Sequence, residues 1–431
     1  MTQPETQPET QPDVIIVGGG IGGLSAATAL SRKGFTVRVL ERSEEFGEVG
    51  AGIQIAPNCT RILAEYGLLD EAKKRGVLVQ NMVMRDALDG SVLTSLDLKD
   101  MEKRYGFPYM VIHRTDLHDL FLQACRESNV DLRTSQHVTG FDSTQNGARV
   151  TLEDGTVHEA PVVIAADGLH SVARRLLVGD EPVNSAYVAY RGAVPIDRVR
   201  QNNVSENDVV VYIGPHCHFV QYPLRGGELF NQVAVFESPK AVRGEEDWGT
   251  PDELDAAFAR ACENVQRGLP LMWRDRWWRM FDRDPVSTWV YGSIALLGDA
   301  AHPPLQYIAQ GAIMAIEDGY VLAEHAAANR PGDGEGEGEG DGDVDWDAAL
   351  KAYQTVRAAH CARVLLTSRA WGELWHAGGG KRERRNEILR ARDTYDYGFV
   401  DWLYERTALT PDQEPAMFTP IPLGQVAADA V

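Results

Sequence analysis

Three glycines, Gly18, Gly20 and Gly23, stand at GxGxxG spacing in DVIIVGGGIGGLSAATALSRKGFTVRVLER, residues 13–42. In this spacing the first glycine permits a tight turn, the second lets a pyrophosphate approach the backbone, and the third lets a helix pack on a strand. Glu41 follows where a carboxylate accepts hydrogen bonds from ribose hydroxyls and repels a 2′-phosphate. Together these residues define a site for an ADP-containing ligand and leave NAD and FAD both open. Two more acids close apolar runs: Asp167 with Gly168, Ser171 and Arg174 behind it, and Asp299 after Gly298. Further chemistry lies in HCHFVQYPL, where His216, His218, Val220 and Tyr222 alternate and share one face of a strand. His218 and Tyr222 then lie about 13 Å apart, able to bracket a small ligand but not to bond each other. Cys217 points to the opposite face, so no metal site is expected, and His216 reads as half-buried and satisfied by backbone groups.

The elements that must position these residues are legible around them. Val14 to Val17 is an apolar run suited to a strand buried on both faces, and Ile21 to Lys33 is a helix closed by Gly34. Thr36 to Leu40 completes a βαβ unit whose helix N-terminus favours an anion. Glu45 to Asn58 reads as a glycine-rich loop bringing backbone, with Gln54 at its far side, against a flat ligand. In HRTDLHDLFLQA the apolar spacing predicts a helix capped by Thr115, which leaves Arg114 at a helix N-terminus and favours it as a contact to an anionic ligand. Leu132 to Phe141, Ala148 to Leu152 and Val162 to Ala165 read as strands, the last ending at Asp167. From Ala186 long alternating runs predict an antiparallel sheet inserted before a fourth buried strand, Ile294 to Leu297. Gly311 opens a helix that could face the negative charge of a reduced flavin ring.

The fold expected is α/β plus α+β: a Rossmann-like nucleotide domain with an inserted antiparallel sheet and C-terminal helices. Its boundaries are a disordered tail at 1–12, a discontinuous nucleotide domain at 13–180 and 285–330, and a substrate domain at 181–284. An acidic, glycine-rich linker follows at 331–345 and a helical region at 346–431, the latter a lid or oligomer face in which nothing looks chemical. The 431 residues carry 42 basic and 63 acidic side chains, a net charge of −21, which argues against nucleic acid and anionic membranes as partners. No apolar run approaches the length of a membrane span. Five scattered cysteines, never spaced CxxC, fit a reducing cytoplasm, and the polar opening repeat lacks the features of a signal peptide.

With GxGxxG, the Asp167–Gly168 stretch and Gly298–Asp299 in this order, the chain resembles the single-component FAD-dependent aromatic hydroxylases typified by p-hydroxybenzoate and salicylate hydroxylases. The resemblance spans nearly the whole chain and implies FAD, held tightly but not covalently, with NADH as a transient co-substrate and O₂ as the second. It implies Glu41 on the adenosine ribose, Arg114 on the flavin side, Asp167 on the pyrophosphate side and Asp299 on the ribityl chain. Gly311 and Ala312 fall near the flavin ring, and Arg42, Gln54 and Val138 join the cofactor set. Gln306 in HPPLQYIAQG, where salicylate hydroxylases usually carry proline, looks with His218 and Tyr222 like the 3-hydroxybenzoate 6-hydroxylase branch. That branch implies para-hydroxylation to gentisate through a flavin hydroperoxide, with His218 as a base near pH 7, Gln306 orienting the phenol, and Tyr222 holding the ring or its carboxylate. A homodimer is also implied. The runner-up is a salicylate 1-hydroxylase or hydroxypyridine-carboxylate hydroxylase; the alternative from another class is a flavin-binding sensor without turnover.

Overall fold

A computed structural model describes residues 11–47, 50–202, 204–331, 344–406, 408–409 and 411. Residues 1–10 of the tail expected at 1–12, most of the acidic linker and the last twenty residues lie outside them, while Pro12 is described and buried.

Three runs of apolar residues and a fourth short strand, Val37–Leu40, whose Arg38 pairs with Asp131 of the strand beside it, form the centre of a six-stranded sheet. Its order is Val290–Tyr291, Ile294–Leu296, Val162–Ala165, Val14–Val17, Val37–Leu40 and Asp131–Arg133, parallel except for the first strand. Every residue of the four inner strands is buried, as a parallel sheet covered on both faces requires. The helices Ile21–Arg32 and Gly311–Ala328 pack on each other, and both begin at the carboxyl ends of strands. In an open α/β sheet that is where ligands bind.

The second sheet has seven strands in the order Trp278–Asp282, Val183–Pro195, Leu229–Glu237, Cys217–Leu224, Asp208–Gly214, Asn81–Asp86 and Val92–Asp97. Its last two strands come from early in the chain, so this sheet is not built from residues 181–284 alone. The run 208–224 is a hairpin turned at Pro215 and His216. Short helices, Pro251–Ala257 and Glu263–Gly268, cover one face. Across the other face Arg191, Val233, Val220, Val211 and Met84 stand in register and look toward the first sheet.

Other expectations need correction. Leu132 to Phe141 is two strands, Asp131–Arg133 in the parallel sheet and Val138–Thr144 in a separate antiparallel one, with a positive-φ Ser135 between them. The 45–58 loop contains a strand, Gly52–Ile55, paired with Met110–His113, and gives way to a helix at Pro57. The Arg114–Glu127 helix is capped by His113, whose side chain accepts from the Thr115 N–H, so Thr115 is not the cap.

The 30-residue helix Trp346–Trp375 is about 45 Å long at 1.5 Å per residue, enough to reach both sheets. Near its start Tyr353 donates to the Leu296 carbonyl of the first sheet at 2.9 Å. Just past its end the His376 carbonyl accepts from the His216 N–H, at the hairpin of the second, at 3.1 Å. The helix therefore fixes the spacing between the layers and closes the space between them.

Candidate active site

Between the sheets lies a cavity of about 440 Å³. It brings together Gly20, Gln54, Arg114, His218, Tyr222, Asp299, Gln306, Gly311 and Ala312. Gly18, Gly23, Glu41, Arg42, Val138 and Asp167 lie outside its lining, although Asp167 sits between two lining residues, Ala166 and Gly168.

At the glycine turn, Gly18 has φ +110° and donates its N–H to the Leu40 carbonyl at 2.8 Å. A Cβ on Gly23 would stand 1.9 Å from the Gly18 carbonyl oxygen, so only glycine lets the helix start this close to the strand. The helix has Gly20 as N-cap with no side-chain cap bond and no acid in its first turn, which leaves its first N–H groups for an anion. Glu41 accepts from the Gly19 N–H at 2.7 Å and the Ser43 N–H at 2.8 Å. Burial pushes its carboxyl up, but these N–H bonds and Arg42 more than offset it, and the pKa lies below the usual value. Arg42 itself is exposed, and Val138 is buried at the start of its strand, opposite Leu152.

Asp167 accepts from the N–H groups of Val172 and Ala173 through Oδ2, while its buried Oδ1 has no hydrogen-bond partner among the described residues. Burial raises its pKa. Arg174 is fully buried and serves the scaffold: it pairs with Asp180 and donates to the Ala301 and Asp284 carbonyls, tying this turn to the one after Asp299. Asp318 holds that second turn from below, accepting from the Gly298 N–H at 2.9 Å, His302 Nε2 at 2.5 Å and Arg357 Nε at 2.7 Å. Burial would lower the His302 pKa, but the Asp318 carboxylate lifts it to about 10. Asp299 is exposed at the cavity edge.

At the cavity's aromatic end, His218 is 1 % exposed. Its Nε2 lies 3.4 Å from Gln306 Nε2, and its Nδ1 lies 2.8 Å from His376 Nε2. Burial pushes its pKa down to about 3, so it is a neutral acceptor and not a group poised near pH 7. Tyr222 packs against Gly52, whose N–H donates to Asn231 Oδ1 at 3.0 Å. Tyr109 donates to Gln54 Oε1 at 2.6 Å, fixing the amide at the cavity wall. Arg114 is the first residue of its helix, and its N–H bonds the Ala51 carbonyl at 3.0 Å. His216 is exposed and pairs with Glu237 at 2.6 Å, not half-buried on backbone groups.

The C-terminal helices are part of the site. Thr367, Trp371 and Trp375 line the cavity, and His376 bonds His218. Arg191, on the sheet face shared with Val220, lines it too. The i, i+4 spacing of Trp371 and Trp375 marks an apolar face in the sequence, but nothing local tells what that face covers.

Fold and cavity have the form of a dinucleotide-binding protein: the glycine turn borders one end of the cavity and aromatic side chains line the other. Residues 11–365 match the FAD binding domain family. The chain is 38% identical to 3-hydroxybenzoate 6-hydroxylase of Polaromonas naphthalenivorans (strain CJ2) over 400 residues, 91% of this chain and 95% of that one. The Klebsiella oxytoca enzyme of the same name is 36% identical over 399 residues, 90% and 96% of the two chains. Among solved structures, Klebsiella pneumoniae HpxO complexed with FAD and uric acid superposes with a TM-score of 0.78 at 26% identity, covering 92% of this chain and 96% of that one. The chain belongs to the FAD binding domain family and, within it, to the single-component FAD-dependent aromatic hydroxylases. FAD is its cofactor, and the glycine cradle, the open helix N-terminus and the unpartnered Asp167 Oδ1 all fit one.

Proposed function

We propose that the protein hydroxylates 3-hydroxybenzoate para to its hydroxyl, giving 2,5-dihydroxybenzoate (gentisate), with NADH as reductant. The observation that carries this reading is the pairing of His218 Nε2 with the Gln306 amide, 3.4 Å apart at the cavity wall, with Tyr222 on the same sheet face. Two relatives at 36% and 38% identity bear the name of that activity. In this reading residues 13–180 and 285–330 hold FAD: Gly18, Gly20 and Gly23 at the pyrophosphate, and Glu41 and Arg42 at the adenosine ribose. Gln54, Arg114, Asp299, Gly311 and Ala312 serve the flavin and its ribityl chain, with Asp167 beside the pyrophosphate and Val138 in the supporting shell. Bound FAD supplies the two-electron chemistry that activates O₂ and delivers one oxygen atom to the ring.

The protein's own part is to hold the phenol and make it electron-rich. Gln306 can donate and accept at once and so engages the hydroxyl in either protonation state. Neutral His218 accepts the phenol proton through Nε2, and the phenolate directs attack para to itself. Tyr222 and the cation of Arg191 are polar groups that the second sheet offers to the substrate carboxylate. Trp371 and Trp375 exclude water, which protects a reactive oxygen donor from being wasted.

The test is to purify the yellow protein and measure NADH oxidation, O₂ uptake and products with a panel of hydroxybenzoates. Gentisate from 3-hydroxybenzoate, with NADH and O₂ consumed equally, is expected. Catechol from salicylate with no turnover of 3-hydroxybenzoate refutes the substrate assignment, and NADH oxidation without O₂ uptake refutes oxygenation.

A further inference from the structure

Behind His218 stands a second imidazole. The His376 and His218 rings are 21° from parallel with centroids 5.1 Å apart, joined by the 2.8 Å contact between His376 Nε2 and His218 Nδ1. Tyr187 stacks on His376 at 4.5 Å and 14°, and Tyr307 stands edge-on to both imidazoles. The backbone N–H of His376 donates to the Gly372 carbonyl and its backbone carbonyl accepts from the His216 backbone N–H, so the residue is held between a helix end and a hairpin turn. His218 lines the cavity; His376 lies behind it, outside the lining, and keeps 6 % of its surface exposed.

A neutral imidazole has one N–H and one lone pair, so a contact between two ring nitrogens requires one ring to donate and the other to accept. The Gln306 amide nitrogen faces His218 Nε2 and donates to a lone pair there; proton positions and amide orientation are assigned from this network. His218 then carries its proton on Nδ1 and donates it to His376 Nε2.

We propose that His376 is a positioning residue that takes the Nδ1 proton of His218 as the substrate phenol gives its own proton to His218 Nε2. The inference rests on the phenol-hydroxylating reading above. The Gln306 N–H turns from His218 Nε2 to the phenol oxygen and frees that lone pair; the phenol O–H breaks as an N–H forms at His218 Nε2; the His218 Nδ1–H breaks as an N–H forms at His376 Nε2; the proton on His376 Nδ1 then leaves to solvent. His218 ends neutral, and its new Nε2–H donates to the phenolate oxygen. One tautomer accepts from the phenol and the other donates to the phenolate, so His218 never has to keep a charge that its burial opposes.

The groups around His376 favour passing the charge on. Arg385, from the Gly379–Arg390 helix, donates to the Trp375 carbonyl at 2.7 Å and disfavours a lasting second cation. On the hairpin side His216 Nδ1 lies 2.6 Å from a Glu237 carboxylate oxygen at the surface. Tyr187 and Tyr307 supply neutral rings.

The test uses the FAD-loaded protein and a nitro-substituted hydroxybenzoate whose phenolate absorbs in the visible, with stopped-flow detection of phenolate formation and of proton release to an indicator dye. In His376→Gln ionisation of the bound probe is expected to slow by at least about a hundredfold, the scale of a lost proton-transfer group, while probe affinity at low pH stays within about twofold. In His376→Ala, added imidazole should restore the rate and pyrrole, the same shape without a basic lone pair, should not. Wild-type ionisation rates in His376→Gln, or equal rescue by pyrrole and imidazole, overturn the relay while leaving the substrate assignment intact. Failure of the unaltered protein to bind any hydroxybenzoate overturns both.

Discussion

Replacing Gly52 with alanine tests whether the junction between the two sheets shapes the substrate chamber. A Cβ there would lie 2.4 Å from Tyr222 Cε2, 2.8 Å from its hydroxyl and 2.9 Å from Cζ, against an ordinary contact distance of at least 3.4 Å. Some group must give by 3.4 − 2.4 = 1.0 Å. The backbone at Gly52 is poorly placed to retreat, because its N–H is bonded to Asn231 in the second sheet and its strand is paired with Met110–His113. Tyr222 is 3 % exposed, and the open space beside it is the cavity it lines. The ring should swing that way, at an off-rotamer cost of about 0.5–1.5 kcal/mol. The stability loss is therefore expected at the low end of overpacking, about 1 kcal/mol. FAD binding should survive, but the displaced ring occupies substrate space, and affinity for the aromatic acid should drop about tenfold, equivalent to about 1.4 kcal/mol. The assay is substrate-induced perturbation of the flavin spectrum, run on Gly52→Ala, Tyr222→Ala and the double variant. If the clash is the mechanism, Gly52→Ala adds nothing once Tyr222 is alanine. Wild-type affinity in Gly52→Ala, or an undiminished penalty in the double variant, refutes the reasoning.

At the other end of the cofactor site, Gly23→Ala sets a methyl 1.9 Å from the Gly18 carbonyl oxygen, where both atoms belong to the backbone turn. The variant should purify without visible flavin absorbance and resist reconstitution; a yellow Gly23→Ala protein disproves the cradle. A pH dependence follows from the clamp under the Asp299 turn. The His302 pKa is raised from 6.5 to about 10, so the stability it contributes is present in full below about pH 6.5 and is lost as pH rises through about 10. Urea midpoints should fall across that window in the unaltered protein and fall less steeply in His302→Asn; parallel declines would show that the pair with Asp318 does not contribute.

The parts of this molecule readable from its sequence are those whose partners are near in the chain. Strand, glycine turn, helix and acid succeed one another within thirty residues, and each step there is decided by sterics and burial of the local run. The cavity is assembled otherwise. Gly52 meets Asn231 across 179 positions, Asn81 meets Asp208 across 127, and His218 meets His376 across 158. Periodicity tells which side of an element is apolar, and it is silent on what lies against that side. The strands from Asn81 to Asp97 therefore gave no hint that they would join the inserted sheet, and the Trp371 and Trp375 face read equally well as a lid or an oligomer contact. His218 illustrates the chemical consequence. Its residue type implies titration near 6.5, and its strand position implies only that it shares a face with Tyr222. Trp375, Tyr307 and His376, all from later segments, enclose it and drive its pKa to about 3. A histidine so enclosed cannot serve as a solitary base that stores a proton. It can still move one, provided a second acceptor stands behind it, and the long C-terminal helix ends where it sets that acceptor in place.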